Sequence, residues 1–282
     1  MIRIITDSAA DLTARELERP GVVVVPMAIT FEDGTSQEDD GSMTKDEFFV
    51  RLASDSKLPR TSQPSPAAFI EAFTDAADAG DEMIVITVAQ KLSGTYQCAT
   101  MAAGDVDVPV HIIDSETATQ GEAVIVREAL RLRDQGFTAA EIVDALESLK
   151  KRVRIVAVVD SLKHLQKGGR VSAAVALVGG ALGIKPVISL YDGAVKLAGK
   201  GRGRPGALVA MFKQIDEMGG VDADYGCTVL YSDDKGMAGP VNHYLHQNLK
   251  LDDVHVSQIG ATIGTHVGPR AVGVVFVSQN AE

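Results

Sequence analysis

The chain has 282 residues, enough to bury a sizeable core in one or two domains, with the apolar and charged fractions of an ordinary globular protein. Its net charge of −11 argues against nucleic acid as a global partner and favours solubility. The two cysteines, Cys98 and Cys227, lack CxxC spacing, so neither a disulfide framework nor a zinc site is indicated. The first residues, MIRIITDSAADL, carry no long apolar region of a secretory signal. The longest uncharged apolar run, residues 171–184, falls short of the ~20 residues that span a bilayer. A cytoplasmic protein without a transmembrane segment is therefore expected, with transient contact at a membrane surface left open.

Along the chain, short β-rich runs alternate with helical patterns. IRIIT and VVVVPM read as strands, followed by a helix over about residues 44–53. MIVITV (83–88) is a buried-strand signal that leads into a helix starting at Ser93, inside which Cys98 reads as a core residue before a reactive thiol. VPVHIID repeats the arrangement, and helices follow over about 119–136 and 139–152. Gln135-Gly136 ends the first of these, and Thr138 with Glu141 opens the second as a capping box. Such alternation predicts a mostly parallel sheet covered by helices on both faces.

After about residue 150 the character shifts. VRIVAVV is a strand, KGGRVS a glycine-rich turn, and KPVISL and AVKLAG flank the hairpin signal Asp192-Gly193. A helix over about 206–218 and the strands CTVLYS, DVHVSQIG and AVGVVFVS complete a mixed α/β half. The reading is an α/β protein of two domains, residues 1–155 and 156–282, without a clear linker.

Several segments could carry chemistry. Ser93 and Gly94 follow the MIVITV strand, where an open parallel sheet binds ligands and where a helix start offers free N–H groups to an anion. A plain helix cap at Ser93 explains the same residues. In Arg60-Thr61-Ser62-Gln63-Pro64-Ser65-Pro66, Ser65 caps a helix with Pro66 at its first position, which leaves Thr61 and Ser62 in a loop without a structural task. Asp7 ends the first strand beside hydroxyls, to position them or to cap the helix that follows. His266, between Gly264 and Gly268, reads as a loop histidine: a donor to a carboxylate, a base, or a structural hydrogen-bonding group. His243 and His246 lack a third metal ligand. The literal GxGxxG at 201–206 lies late in the chain, holds two arginines and a proline, and is rejected as a dinucleotide site. Basic residues gather at Lys150, Lys151, Arg152, Arg154, Lys163, Lys167 and Arg170, and again at Lys196, Lys200, Arg202 and Arg204. They are either a solvated face or a surface for phosphate or an acidic protein.

ITDSAADL, RTSQPSPAAF, ITVAQKLSGTYQCA, IIDSETATQGE, VDSLKHLQKGGRVS, LGIKPVISLYDGAV, the RGR segment and IGTHVGPRAVGVVF occur in the order of the DegV family, which the whole chain resembles. The resemblance implies a non-catalytic carrier similar to the fatty-acid-binding subunit of bacterial fatty acid kinase. Such a carrier buries a long-chain fatty acid between two α/β domains and needs no metal or other cofactor. A separate kinase catalytic subunit then makes the acyl phosphate for phospholipid synthesis. By resemblance Thr61, Ser93, Gly94 and His266 hold the carboxylate, and Arg170, Arg202 and Arg204 dock the kinase. One departure stands out: the family places glycine where this chain has Arg270. The stretch VSAAVALVGGALGI is either a tunnel wall or an ordinary core helix. Two other readings remain: a hydrolase or acyl transferase with Ser93 as nucleophile and His266 as base, and a module for another anion such as a phosphorylated metabolite.

Overall fold

A computed structural model describes residues 1–172 and 183–280, so most of the small-residue stretch read as a tunnel wall lies outside the described residues. The first half runs β1 (Ile2–Asp7), α1 (Ala14–Leu17), β2 (Val22–Val25), β3 (Ala28–Thr30), β4 (Ser36–Glu38), α2 (Lys45–Ser54), β5 (Arg60–Ser62), α3 (Pro66–Asp78), β6 (Glu82–Thr87), α4 (Thr95–Ala102), β7 (Val110–Asp114), α5 (Gln120–Asp134) and α6 (Ala139–Leu149). The second runs β8 (Val153–Val158), α7 (Lys163–Lys167), β9 (Ile184–Tyr191), β10 (Ala194–Arg202), α8 (Gly203–Glu217), β11 (Cys227–Tyr231), α9 (Ala238–Gln247), β12 (Val254–Gln258), α10 (Ala261–Val267) and β13 (Val272–Val277).

The apolar runs IRII and MIVI are apolar on both sides because both faces are covered. They form a parallel sheet of order β2-β1-β6-β7. Side chains alternate along each strand. Ile4, Ile84 and Ile86 pack with Ile125, Leu130, Ile142 and Leu146 of α5 and α6, whereas Ile5, Met83 and Val85 pack with Phe69 and Phe73 of α3 and Cys98 of α4. Ser65 caps α3 with Pro66 behind it, and Thr138 forms a capping box with Glu141, as the sequence predicts.

A small antiparallel sheet, β4-β3-β5, is absent from the sequence reading. The segment read there as a loop begins as strand β5, in which Thr61 lies opposite Ile29 of β3. Three residues give no periodicity, and the pairing comes from a strand 30 positions earlier, so nothing local announces it.

The second half forms a six-stranded sheet of order β10-β9-β8-β13-β11-β12, antiparallel except for β11 and β12. The β9–β10 hairpin turns at Asp192 and Gly193, whose φ values of 52° and 70° both fit the left-handed turn that Asp-Gly favours. Val156, Val229, Val274 and Phe276 pack beneath Met211 of α8 and Val241 and Leu245 of α9. Ile155, Leu190 and Leu230, on the other face, join the core of the parallel sheet. Among the described residues no helix is long and apolar enough to cross a membrane.

Candidate functional site

A cavity of about 400 Å³ lies where the carboxyl edge of the parallel sheet faces the six-stranded sheet. That is within the range of small-ligand sites. Met27, Val88, Ile155, Ile188, Leu190 and Ile263 are among its apolar lining. Thr61, Ser93, Arg170 and His266 supply polar groups. A second cavity of about 550 Å³, lined by Lys57, Arg60, His164 and Lys167, shares Thr61, Arg170 and His266 with the first. These three residues therefore stand where an apolar space meets a basic one.

The turn after β6 sets Ser93. Its amide and that of Leu92 both donate to the Ala89 carbonyl, at 3.2 and 2.9 Å. Helix α4 starts at Thr95 with Gly94 as its cap residue, not at Ser93 as the sequence suggests. The Ser93 hydroxyl instead lies 2.8 Å from Thr95 Oγ1 and lines the cavity. The close approach at Gly94 is made by a neighbouring side chain: a Cβ there would stand 2.2 Å from Gln63 Oε1. Gln63 in turn donates to Cys98 Sγ at 2.8 Å, which ties the β5 segment to the start of α4. Amides in the first turn of a helix have no partner within the helix, and those of α4 begin beside Ser93.

His266 is not on a loop but in the last turn of α10. Its Nε2 lies 2.8 Å from Thr61 Oγ1, a contact between residues 205 positions apart. Its Nδ1 is buried without a hydrogen-bond partner. Burial, with the Arg170 charge nearby, pushes the imidazole pKa down to about 4, so the ring is neutral at pH 7. Among the described residues this geometry does not form a nucleophilic relay: Thr61, not Ser93, meets the imidazole, and no acid orients Nδ1.

Arg170, which the resemblance assigns to docking, lines the cavity. Its Nε donates to the Leu92 carbonyl at 2.9 Å, its Nη1 donates to the Gly168 carbonyl, and burial lowers its pKa. Among the described residues no carboxylate stands within ion-pair distance of it. Arg202 is exposed at the end of β10. Arg204 is half-buried and donates to Met237 Sδ and to the Arg270 carbonyl, both at 3.2 Å. Arg270 has φ +60°, the left-handed region in which glycine is at ease, which fits the glycine that the resemblance leads one to expect there. Residues 201–206 span the end of an antiparallel strand and the first turn of α8, so the literal GxGxxG does not follow a parallel strand.

The sequence singles out Asp7 without revealing its burial or its partners, and it does not single out Glu122. Asp7 is fully buried and accepts from the amides of Ala9 at 2.9 Å and Val88 at 2.8 Å, so it fixes two residues of the cavity lining. Asp7 does not cap the helix expected near Leu12, which is α1 with Thr13 at its cap position; it caps a short 3₁₀ turn at Ser8–Ala10 instead. Desolvation raises the Asp7 pKa to about 7. Glu122, equally buried, accepts from Thr6 Oγ1 at 2.9 Å, and burial raises its pKa well above the usual range.

Comparisons with known proteins agree over the whole chain. A family model described as "Uncharacterised protein, DegV family" matches residues 1–279. A DegV domain-containing protein of Caldanaerobacter subterraneus subsp. tengcongensis is 34% identical over 276 residues, which cover 98% of each chain. The solved structure of a DegV family protein from Thermus thermophilus, described for its fatty acid binding, matches with TM-score 0.88 and 30% identity, covering 98% of this chain and 99% of that one. A stearic-acid-binding protein from Eubacterium ventriosum matches with TM-score 0.88 and 28% identity, covering 99% of both.

Proposed function

Because the chain belongs to the DegV family, with residues 1–279 matched, we propose that it binds a long-chain fatty acid, with the carboxylate at Thr61, Ser93, the Gly94 end of α4, His266 and Arg170, and the tail in the apolar cavity. The observation that carries this reading is that cavity's polar lining, with its hydroxyls, a neutral imidazole and a guanidinium without a carboxylate partner among the described residues. A half-buried cation favours an anion beside it, and the ligand supplies one. The tail contributes ~0.8 kcal/mol for each CH₂ it buries, and charge-assisted bonds to the headgroup add ~1.5–3 kcal/mol each. Arg170 thus moves from docking into the headgroup set. The division expected at residue 155 falls inside β8, so in this reading it moves to the connection between α6 and β8.

In its finer form the reading has the acid presented to a separate ATP-using kinase subunit, which converts the carboxylate to an acyl phosphate. Arg202, exposed, and Arg204, at the start of α8, dock that subunit. The basic second cavity supports the approach of a phosphoryl group to the shared residues. Mass spectrometry of the denatured protein should release a fatty acid, and the delipidated protein should bind one in a titration. An empty spectrum together with no binding would remove the proposal. Arg202→Ala should leave acid binding intact and slow acyl-phosphate formation with the kinase; unchanged kinetics would remove the docking role.

A further inference from the structure

Helix α10 reaches the site from the second half of the chain, yet the small sheet of the first half grips it at both ends. At its start, Asp39 Oδ2 accepts from the Thr262 amide at 3.1 Å and from the Thr262 hydroxyl at 2.6 Å. The residue before the helix is Gly260, which has no side chain to cap it. Asp39, 223 positions away, supplies the missing acceptor. At the other end, His266 Nε2 meets Thr61 Oγ1. Asp39 follows β4 and Thr61 lies in β5, and both strands pair with β3. Between the two grips Ala261 packs with Phe48 and Phe49, and a methyl group at Gly264 would come within 2.7 Å of Phe48, so the helix has little room to shift. Thr262, Ile263 and His266 line the cavity; Asp39 does not.

We propose that Asp39 is a positioning residue for the headgroup site: it caps α10 from across the molecule and so sets where His266 stands against Thr61. This rests on the fatty-acid reading for its ligand. The Asp39 carboxylate also feels the like charge of Asp11 and the opposite charge of Lys45, and it adds to the field on Asp7. Its hydrogen bonds, however, go to α10.

The test uses the full-length delipidated protein, with oleic acid and oleyl alcohol as probes. Asp39→Ala should weaken oleic acid by about tenfold, the scale of coupling between interacting groups, and oleyl alcohol by much less. It should also shift the His266 imidazole NMR signals in the ligand-free protein. Asp39→Asn, whose carboxamide oxygen still accepts from Thr262, should restore most of the affinity. In a His266→Ala background, Asp39→Ala should change affinity by less than about twofold, because the route through the imidazole is gone. Full additivity with His266→Ala, or unshifted imidazole signals in a folded Asp39→Ala protein, would overturn the proposal. Should Asp39→Ala not fold, Asp39→Glu keeps the charge but displaces it by one methylene. It should lower affinity and shift the imidazole, and wild-type behaviour there would be equally fatal. Absence of oleic acid binding in the wild type would defeat the fatty-acid reading alone, since the imidazole shifts are read without ligand.

Discussion

Two polar clusters meet opposite electrostatic problems: Asp7 of one holds the cavity-lining residues Ala9 and Val88, whereas Arg170 and His266 of the other line the cavity themselves. Asp7 and Glu122 are fully buried carboxyls whose pKa values desolvation raises. Arg170 and His266 are bases whose pKa values burial lowers. The acidic cluster draws its partners from the protein: two backbone amides for Asp7 and the Thr6 hydroxyl for Glu122. Among the described residues each cluster leaves one buried side-chain atom unpaired, Glu122 Oε2 in the first and His266 Nδ1 in the second, and the Arg170 guanidinium of the second donates to the Leu92 and Gly168 carbonyls. In the proposed reading the ligand carboxylate is the counter-charge of Arg170, whereas burial holds the carboxyls of the first cluster toward the protonated form. On that reading Asp7 serves the fold and Arg170 the ligand, a contrast that substitution can test.

Removing Asp7 should break the first cluster with the largest effect. Asp7→Ala orphans the amides of Ala9 and Val88, each worth ~1–3 kcal/mol when buried unpaired, so a stability loss of about 2–6 kcal/mol is expected in urea unfolding. Arg170→Leu should do the reverse: stability within about 1 kcal/mol of wild type, and an acid affinity lower by about 1.5–3 kcal/mol, or roughly 10- to 150-fold. Calorimetric titration reads the second quantity. A large stability loss with unchanged affinity would make Arg170 a fold residue and erase the contrast.

These assignments were unevenly legible. The parallel sheet, the capping box at Thr138 and the turn at Asp192 are written in local patterns, because strand burial, helix starts and left-handed turns each depend on a few neighbouring residues. Thr61, Ser93 and His266 could be singled out by type and grouped by resemblance, but the direct Thr61–His266 contact, which joins β5 to α10 across 205 positions, is not legible in any local pattern. Arg170 resembled its basic neighbours, and only the packing that turns it toward Leu92 separates it from them. Asp7 stood out in the sequence, but its two amide partners depend on the β1–β6 register, which no spacing within TDSAADL reveals.

The opposite pKa shifts give the comparison a pH signature of smaller size. Asp7 has a folded pKa of about 7, above its ordinary 3.8. The folded state therefore keeps a proton that the unfolded chain releases. This contribution to stability is full below about pH 4 and is lost as pH rises through about 7. His266 is shifted down from 6.5 to about 4, so its contribution is full above about 6.5 and lost as pH falls through about 4. Measured between these limits, wild type minus Asp7→Asn should fall with pH and wild type minus His266→Gln should rise, each on the order of 1 kcal/mol per unit. Parallel slopes would mean that the two groups share one environment. Because the imidazole is already neutral, acid affinity should also stay flat between pH 6 and 8 with respect to His266.

Arg270→Gly should have the smallest effect, and its sign is informative. The arginine holds φ +60°, which costs a residue with a Cβ about 1–2 kcal/mol. Glycine removes that strain but gives back about 0.5–1 kcal/mol in unfolded-state entropy. The arginine side chain approaches Asp160 at 3.8 Å, both groups being well exposed, and its charge opposes that of Arg204. Its backbone contacts, from the amide to Asp233 at 2.6 Å and from Arg204 to the carbonyl, survive the change. The net should be a gain of no more than about 1 kcal/mol. Arg270→Ala, which loses the charge and keeps the strain, should be less stable than Arg270→Gly by a similar amount. If alanine and glycine proved equal, the backbone would not be what favours glycine here, and the side-chain charge beside the basic cluster would have to explain why this chain differs.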